Sequence, residues 1–291
     1  MQYISVAEAA QKWGVSPRSA RNYCAKGQID GAVLRGKTWL IPFNAQKPHK
    51  AEERTLLQAL RAEKEGKISG GIYHQVQIDL TYNSNHIEGS TLTREQTRYI
   101  FETNTIGAEG GVKVDDIVET ANHFKCVDMA IDEAKRPLSE AFIKRLHLTL
   151  KSGTTDSRNA WFAVGEYKKL PNSVGGNFTT PPEEVPFEMK KLLSLYNKGG
   201  KKSLDELLDF HHSFECIHPF QDGNGRVGRL ILFKECLRHD IVPFIISEDL
   251  KYYYYRGLSM WEKERGFLRD TCLATQDKFK TYLQYYRISF K

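Results

Sequence analysis

The chain has 291 residues, of which 40% are hydrophobic and 27% charged, a balance typical of a soluble globular protein with one large or two modest domains. No apolar run approaches the roughly 18–20 residues that a membrane span requires, and the N-terminal sequence lacks the pattern of a signal peptide. The five cysteines stand singly, which argues against a disulfide framework or a cysteine-rich zinc site. We therefore expect a cytoplasmic protein that does not contact a membrane.

The net charge of +6 is concentrated at the start of the chain. Residues 1–50 hold eight basic and two acidic side chains, and the remaining 241 residues are balanced. A basic N-terminal segment followed by a segment of balanced charge indicates that the N-terminal segment binds a polyanion. Charge alone also fits a small domain that is basic only for solubility, so other evidence has to decide.

Residues 1–26 have the pattern of two short helices. Ser5 can cap a helix that runs to Trp13, and Gly14 breaks it. The pair Ser16-Pro17 then supplies an N-cap and a first-turn proline for a second helix over 17–26.

The second helix and the segment after it carry exposed cations. A turn at Gly36 leads into the strand-like TWLIP, which predicts a small wing. Helix, turn, basic helix and wing resemble the excisionase/MerR-like winged helix-turn-helix domains, which implies DNA as a partner of residues 1–47. The expected DNA contacts are Arg18, Arg21, Asn22, Arg35 and Lys37. A small protein-docking module is the alternative.

The polar segment 44–50 is expected to be a linker, and the pattern after it is helical. One extended stretch, residues 160–178, contains several glycines and predicts a β-hairpin. Apolar residues at helical spacing predict helices over 51–65, 71–86, 92–104, 114–134, 138–151, 187–198, 203–217 and 225–239.

Chemistry-bearing residues are concentrated at 218–229, HPFQDGNGRVGR. Pro219 ends the preceding apolar helix, so His218 is expected at a helix end beside a turn. Residues 223–225, Gly-Asn-Gly, form a turn that opens the next helix, so backbone N–H groups point together at a positive dipole end. This arrangement predicts a cradle for an anion.

The side chains of the same motif complement such a cradle. Arg226 and Arg229 lie three residues apart on the first turns of the helix, where both can reach a docked anion. Asp222 is the carboxylate of the loop and a candidate ligand of Mg²⁺ beside phosphates. The imidazole of His218 has an ordinary pKa suited to a general base. Cys216, two residues away, carries no sign of a reactive thiolate.

This segment resembles the signature HPFxDGNGRxxR of the Fic family. The resemblance implies that His218 deprotonates a protein hydroxyl and that Asp222 holds Mg²⁺. It also implies transfer of AMP from ATP to a Tyr, Thr or Ser side chain. The residues implied to bind the nucleotide phosphates are Gly223, Asn224, Gly225, Arg226 and Arg229. Relatives of the Doc type replace the glycine and the later arginine that this chain retains, whereas UMP or phosphocholine as the transferred group stays open.

Two further stretches are similar to parts of Fic proteins. Gly165–Tyr167 followed by residues 174–177 resembles the flap hairpin that positions the target and lines the nucleotide pocket, and the segment from Tyr254 resembles a YYxxL stretch whose tyrosines border the nucleotide. The residues carried over are Val174, Gly175, Gly176, Asn177, Tyr254 and Tyr255. Ordinary helix packing is the alternative for the tyrosines.

Residues 84–89, SNHIEG, resemble the inhibitory pattern [S/T]xxxE[G/N] of the family, on the residues Ser84, Glu88 and Gly89. A carboxylate at a helix C-terminus is disfavoured by the helix dipole and therefore indicates a partner. We expect a bidentate pair between Glu88 and Arg229 that blocks productive ATP binding. Relatives with this arrangement can also remove AMP from a target.

The sequence therefore predicts a mainly α protein: an all-helical Fic core with a small β-hairpin flap, preceded by a small winged helix-turn-helix domain. The expected domains are 1–47 for DNA binding, 51–110 for the N-terminal helices with the inhibitory helix, and 111–291 for the catalytic core with the flap and the C-terminal helices. The expected activity is that of an autoinhibited adenylyltransferase, with a homodimer and self-modification both left open. The alternative is a transcription regulator whose Fic body serves as a nucleotide sensor or scaffold.

Overall fold

The computed structural model describes residues 2–48, 54–107 and 111–290. The chain divides into two compact units, Met1–Glu53 and Arg54–Lys291. Parts of the expected linker and of the first expected body helix lie outside the described residues. Among the described residues, none of the helices is both long and apolar enough to cross a membrane.

The N-terminal unit combines two helices with a three-stranded antiparallel sheet of strand order β1-β3-β2. Its elements are β1 Tyr3–Ser5, α1 Val6–Trp13, α2 Pro17–Ala25, β2 Val33–Arg35 and β3 Thr38–Pro42. The caps are the ones that the sequence predicted, since Ser5 and Glu8 form a capping box and the Ser16 hydroxyl accepts from Ser19 N. Strand β1 was not predicted, and it pairs with β3 with Ile4 opposite Ile41.

The body is helical, and the expectation of a mainly α architecture is confirmed. The C-terminal helices of the expected catalytic core, for which the sequence gave no bounds, are α11 and α12 below. The helices are α3 Leu56–Glu65, α4 Ile72–Ile87, α5 Arg94–Thr103, α6 Val114–Asp132, α7 Glu140–Lys151, α8 Val185–Tyr196, α9 Leu204–Ile217, α10 Asn224–His239, α11 Lys251–Met260 and α12 Gly266–Tyr285. Helix α10 is buried along almost its whole length and packs against α4, α6, α7 and α9.

The hairpin between α7 and α8 is shorter than predicted. Its strands are β4 Ser173–Val174 and β5 Asn177–Phe178, so most of 160–178 forms no strand. Gly175 and Gly176 form the turn with positive φ angles of 57° and 82°, which glycine adopts without a steric penalty. The Gly165–Tyr167 segment, expected in the flap, lies outside the ladder because Gly165 N bonds to a histidine of α7 and Tyr167 is buried.

Candidate active site

His218 lies at the C-terminus of α9, where the sequence predicted it. Its backbone has a left-handed conformation with φ +51° and ψ +62°, and its N–H donates to Phe214 O at 2.9 Å. Pro219 follows and cannot continue the helix. The imidazole is therefore aimed by the helix end, and its Nδ1 atom is buried without a hydrogen-bond partner among the described residues.

The glycine-rich turn opens α10. Gly223 is the N-cap, with φ +80°, and it has no side chain to bond the first-turn N–H groups of the helix. The Asn224 side chain does not face a ligand, because its amide exchanges two hydrogen bonds of 2.8 Å with the backbone of Phe220. Asn224 thus shapes the loop with its side chain, and it can offer an anion only its backbone.

Helix α4 brings the predicted inhibitory residues to this turn. Arg229 is 5% exposed, and its Nη2 donates to Glu88 Oε1 at 2.7 Å and to Ser84 O at 2.9 Å. Its Nε donates to the Ser84 hydroxyl at 3.1 Å. The expected pair of Glu88 and Arg229 forms, but its bidentate geometry is wrong, because one Glu88 oxygen accepts from Nη2 alone, Ser84 accepts from Nε and Nη2, and Nη1 is buried without a partner among the described residues. Gly89, with φ +96°, lets the chain turn directly after Glu88.

The Glu88 carboxylate lies against the start of α10. A Cβ atom on Gly225 would meet Glu88 Oε1 at 2.3 Å and Arg229 Nη1 at 3.0 Å. Only glycine fits here without moving the carboxylate. The anion cradle predicted from the sequence is therefore adjacent to a protein carboxylate in this structure, at the helix end where negative charge is favoured.

A second ion-pair network was missed by the sequence analysis. Arg226 Nη1 donates to Glu119 Oε2 on α6, and its Nη2 donates to Asp222 Oδ2 at 3.2 Å. The ammonium of Lys151 on α7 bonds the same two carboxylates, at 2.6 Å from Asp222. Arg226 therefore stands in a closed set of two cations and two carboxylates, and it is not free at the turn as the sequence suggested. Glu119 lies 107 residues from Arg226 and Lys151 lies 71 residues from Asp222, and helical spacing gives no signal for such pairs.

His147 on α7 is a further residue of the site without a sequence signal. Its Nδ1 accepts from Gly165 N at 2.9 Å, so its Nε2 carries the proton and donates to Asp222 O at 3.1 Å. The ring stacks on Phe220 with centroids 4.0 Å apart. His147 thereby fixes the motif loop against the segment that leads to the hairpin.

The ionisation states follow from burial and from these charges. Burial, then the nearby Lys168 ammonium, lower the pKa of His218 to about 4, so its imidazole is neutral near pH 7. Burial alone raises the pKa of Asp222, but the charges of Arg226 and Lys151 outweigh it and lower that pKa to about 2. The site thus presents a neutral base and an ionised carboxylate, the two states that its expected chemistry needs.

The remaining predicted residues differ in exposure. Val174, Gly175, Gly176 and Asn177 are exposed in the hairpin. Tyr254 is 1% exposed and bonds His211 Nε2 at 2.7 Å, whereas Tyr255 is 39% exposed. Only the second tyrosine is open to solvent, and the first packs beside Arg229.

The cations of the N-terminal unit lie on its surface. Arg18, Arg21 and Asn22 are exposed on α2, opposite the buried Ala20 and Cys24. Arg35 and Lys37 are exposed on either side of the β2–β3 turn. None of these four cations forms an ion pair within the part of the chain that the structure describes.

Comparison with known proteins gives a family match for part of the chain. Residues 137–235, which span α7 to most of α10 and include 218–229, match the model of the Fic/DOC family. The chain is similar to the proteins named protein adenylyltransferase Fic of Drosophila mojavensis and Drosophila virilis, each 28% identical over 235 residues and 77% of this chain. The chain spans less than half of those proteins, 43% and 44% of their lengths.

Solved structures show the same fold. A Fic domain containing signaling protein from Bacteroides thetaiotaomicron is 29% identical, with a TM-score of 0.59 over 79% of this chain and 90% of that one. Fic-1 (residues 134–508) from C. elegans is 20% identical, with a TM-score of 0.61 over 78% of this chain and 70% of that one. At that identity the second likeness concerns the fold alone.

Proposed function

We propose that this protein transfers AMP from ATP to a hydroxyl side chain of a target protein. The observation that carries the proposal is the joint placement of a neutral His218 and the glycine-rich N-terminus of α10, with Arg229 on the same helix. The likeness to proteins named protein adenylyltransferase supports the choice of AMP. The intact base favours an enzyme over a nucleotide sensor, which has no need of one.

The reaction follows from these positions. The hydroxyl oxygen of the target attacks the α-phosphorus of ATP while its proton passes to the imidazole of His218. The new bond joins that oxygen to phosphorus, the bond between the α-phosphorus and its bridging oxygen breaks, and pyrophosphate leaves. Backbone N–H groups at the start of α10 and the guanidinium of Arg229 stabilise the charge on the phosphates.

Asp222 is the residue that fits a magnesium ion. Its side chain is 49% exposed and ionised, although one oxygen is held by Lys151 and Arg226. The described residues contain no group of three or more histidine, cysteine or acidic side chains that could hold a metal by themselves. A single carboxylate beside phosphates suits Mg²⁺, which when bound neutralises phosphate charge and orients the leaving group.

Glu88 restrains this activity in our proposal. Its carboxylate holds Arg229 at 2.7 Å and lies against Gly225, so it takes the arginine that the phosphates require and adds negative charge where they would dock. Ser84 fixes the same arginine from the preceding turn of α4. Removal of AMP from a modified target, with Glu88 orienting a water, is a second activity that this placement supports.

The identity of the transferred group is tested with labelled donors. We would incubate the Glu88→Gly variant and a cell lysate with Mg²⁺ and ATP labelled at either the α- or the γ-phosphorus. Label on protein from the α position alone is the expected result. Label from the γ position alone would overturn AMP transfer. Labelling from UTP in preference to ATP would overturn the assignment of ATP as the donor.

We propose in addition that the N-terminal unit binds DNA through α2 and the β2–β3 turn. The exposed cations without ion pairs on both elements support this, since phosphate contacts require such groups. The excess of basic side chains within residues 1–50, beside balanced charge in residues 51–291, supports it further.

A further inference from the structure

Lys168 is a buried lysine that the proposed reaction does not yet use. Its residue is 3% exposed, and it forms no ion pair with any carboxylate in the described part of the chain. Its ammonium donates instead to neutral oxygens, at 2.7 Å to Asn172 Oδ1, 2.6 Å to Thr179 Oγ1 and 3.5 Å to Ile217 O. A buried charge without a counter-ion is costly and therefore needs an explanation beyond packing.

The partners of Lys168 lie at both ends of the hairpin. Asn172 directly precedes β4 and Thr179 directly follows β5, so one ammonium joins the two strands at their base. The Thr179 hydroxyl and Asn172 also bond each other, which closes the set. The base of the flap is thus held by one side chain.

The same residue brackets the catalytic histidine. The Lys168 ammonium bonds the carbonyl of Ile217, and the Lys168 backbone N–H donates to Pro219 O at 2.9 Å. These are the residues immediately before and after His218, whose backbone is in the left-handed region. The loop that aims the imidazole is therefore tied to the hairpin on both sides of the base.

The charge of Lys168 acts on the protonation of His218. An ammonium beside an imidazole disfavours the imidazolium, whereas the carboxylates of Glu88 and Asp222 favour it. Burial lowers the pKa of Lys168 to about 8, so the lysine is still charged over the pH range in which the histidine titrates. The two carboxylates are compensated by Arg229, Arg226 and Lys151, while Lys168 has no such compensation.

We propose that Lys168 is a positioning residue of this site: it anchors the hairpin to the loop of His218, and its uncompensated charge keeps the imidazole free to accept a proton. This inference rests on the proposed function for its role in the reaction. Within the described part of the chain, Lys168 forms no hydrogen bond to the glycine-rich turn or to the arginines, so it acts through His218 and the hairpin.

The test is an NMR titration of the His218 imidazole from about pH 3 to about pH 8 in the full chain, with its signal assigned by loss in His218→Gln. Lys168→Met, of similar length without the charge, should raise the midpoint by about one pH unit. Lys168→Arg should keep the low midpoint, and so should the control Lys169→Met, which removes the neighbouring exposed lysine. Lys168→Gln replaces the methionine variant if that variant does not fold.

A second readout links the residue to turnover. In the Glu88→Gly background, Lys168→Met should lower kcat about tenfold and move the acid limb of the rate profile upward, with the KM for ATP nearly unchanged. An unshifted midpoint in a folded Lys168→Met protein would overturn the inference. The titration needs no catalysis, so a shifted midpoint in an inactive enzyme would refute AMP transfer alone, and an active enzyme with an unshifted midpoint would refute only the role of Lys168.

Discussion

At the scale of single residues, the site is a set of buried charges that satisfy one another. Arg229 is held by Glu88 and Ser84, and Arg226 by Glu119 and Asp222. Arginine suits both positions because its fixed fork of donors can bond several oxygens at once. Each phosphate-binding arginine of the expected reaction thus already has a protein carboxylate, and nucleotide has to compete with that carboxylate.

Glu215 gives a prediction about pH at this scale. Burial raises the pKa of its carboxyl to about 8, and the charge of Arg229 only partly offsets this. A raised pKa in the folded state stabilises the fold below the unfolded pKa, and that contribution is lost as the pH rises toward about 8. Glu215→Gln should therefore gain stability relative to the parent as the pH rises from about 5 to about 8.

Urea unfolding of both proteins at the two pH values measures this difference. Glu183→Gln, an exposed glutamate with the same change in charge, is the control and should follow the parent. A Glu215→Gln protein whose stability runs parallel to that of the parent would show that the carboxyl is ionised in the fold.

The sequence predicted which single residues carry chemistry, but it did not predict most of the residues that bond to them in the fold. His218, Ser84, Glu88 and the turn at 223–225 occur in a contiguous motif or at fixed helical spacing, and the structure places them together. Glu119, Lys151, His147 and Lys168 reach the site from α6, α7 and the hairpin segment, and only tertiary packing brings them there. No local pattern marks a buried lysine that bonds neutral oxygens.

At the scale of elements, helix α10 is the centre of the site. Its neighbours α4, α6, α7 and α9 bury most of its length, and side chains from α4, α6 and α7 therefore reach its arginines and the loop before it. The starts of α1 and α2 were readable from the sequence, since Ser5 and Ser16 are residues that favour the N-cap position. The length of the hairpin was overestimated. Its strands have two residues each, because glycine-rich segments have a weak preference for strands. The C-terminal helices were predicted without bounds, and the structure gives them as α11 and α12.

The packing of α11 on α12 depends on Gly257. A Cβ atom there would meet the backbone of Leu268, with 2.6 Å to its Cα and 2.7 Å to its N. Backbone cannot move aside as a side-chain end can, so Gly257→Ala should lower the free energy of unfolding by about 2 kcal/mol despite the higher helix propensity of alanine. Chemical denaturation measures the change, with Ser259→Ala on the exposed face of α11 as the control. Equal stability of the two variants would show that the helices are not in close contact.

At the scale of the whole molecule, the chain has two compact units with separate cores. The N-terminal unit has its own small core around Ala9, Ala10, Trp13 and Ile41, and the body has another. The excess positive charge lies within residues 1–50, whereas residues 51–291 hold equal numbers of basic and acidic side chains. We propose that nucleotide chemistry belongs to the body and nucleic-acid binding to the N-terminal unit.

This division predicts how DNA binding responds to mutation. In the full chain, Arg18→Ala/Arg21→Ala should weaken binding to duplex DNA at least about tenfold. The slope of log affinity against log salt concentration should also fall by about two released counterions. Lys190→Ala/Lys198→Ala, the same charge change on the exposed surface of the body, is the matched control and should leave both unchanged. Binding titrations at several salt concentrations measure both quantities. Equal losses in the two variants would show that net charge alone, and not α2, drives the binding.

The central proposal is that this protein transfers AMP with His218 as the base and is restrained by Glu88. The most direct measurement is incorporation of label from α-³²P-ATP with Mg²⁺ into protein by the wild type, Glu88→Gly, Glu88→Gly/His218→Ala and the control Glu133→Gly, a glutamate at the end of α6 outside the site. We predict label at least about tenfold higher in Glu88→Gly than in the wild type and the control, and none when His218→Ala is added. Equal labelling of wild type and Glu88→Gly would contradict the restraint, and label that persists without His218 would contradict the mechanism.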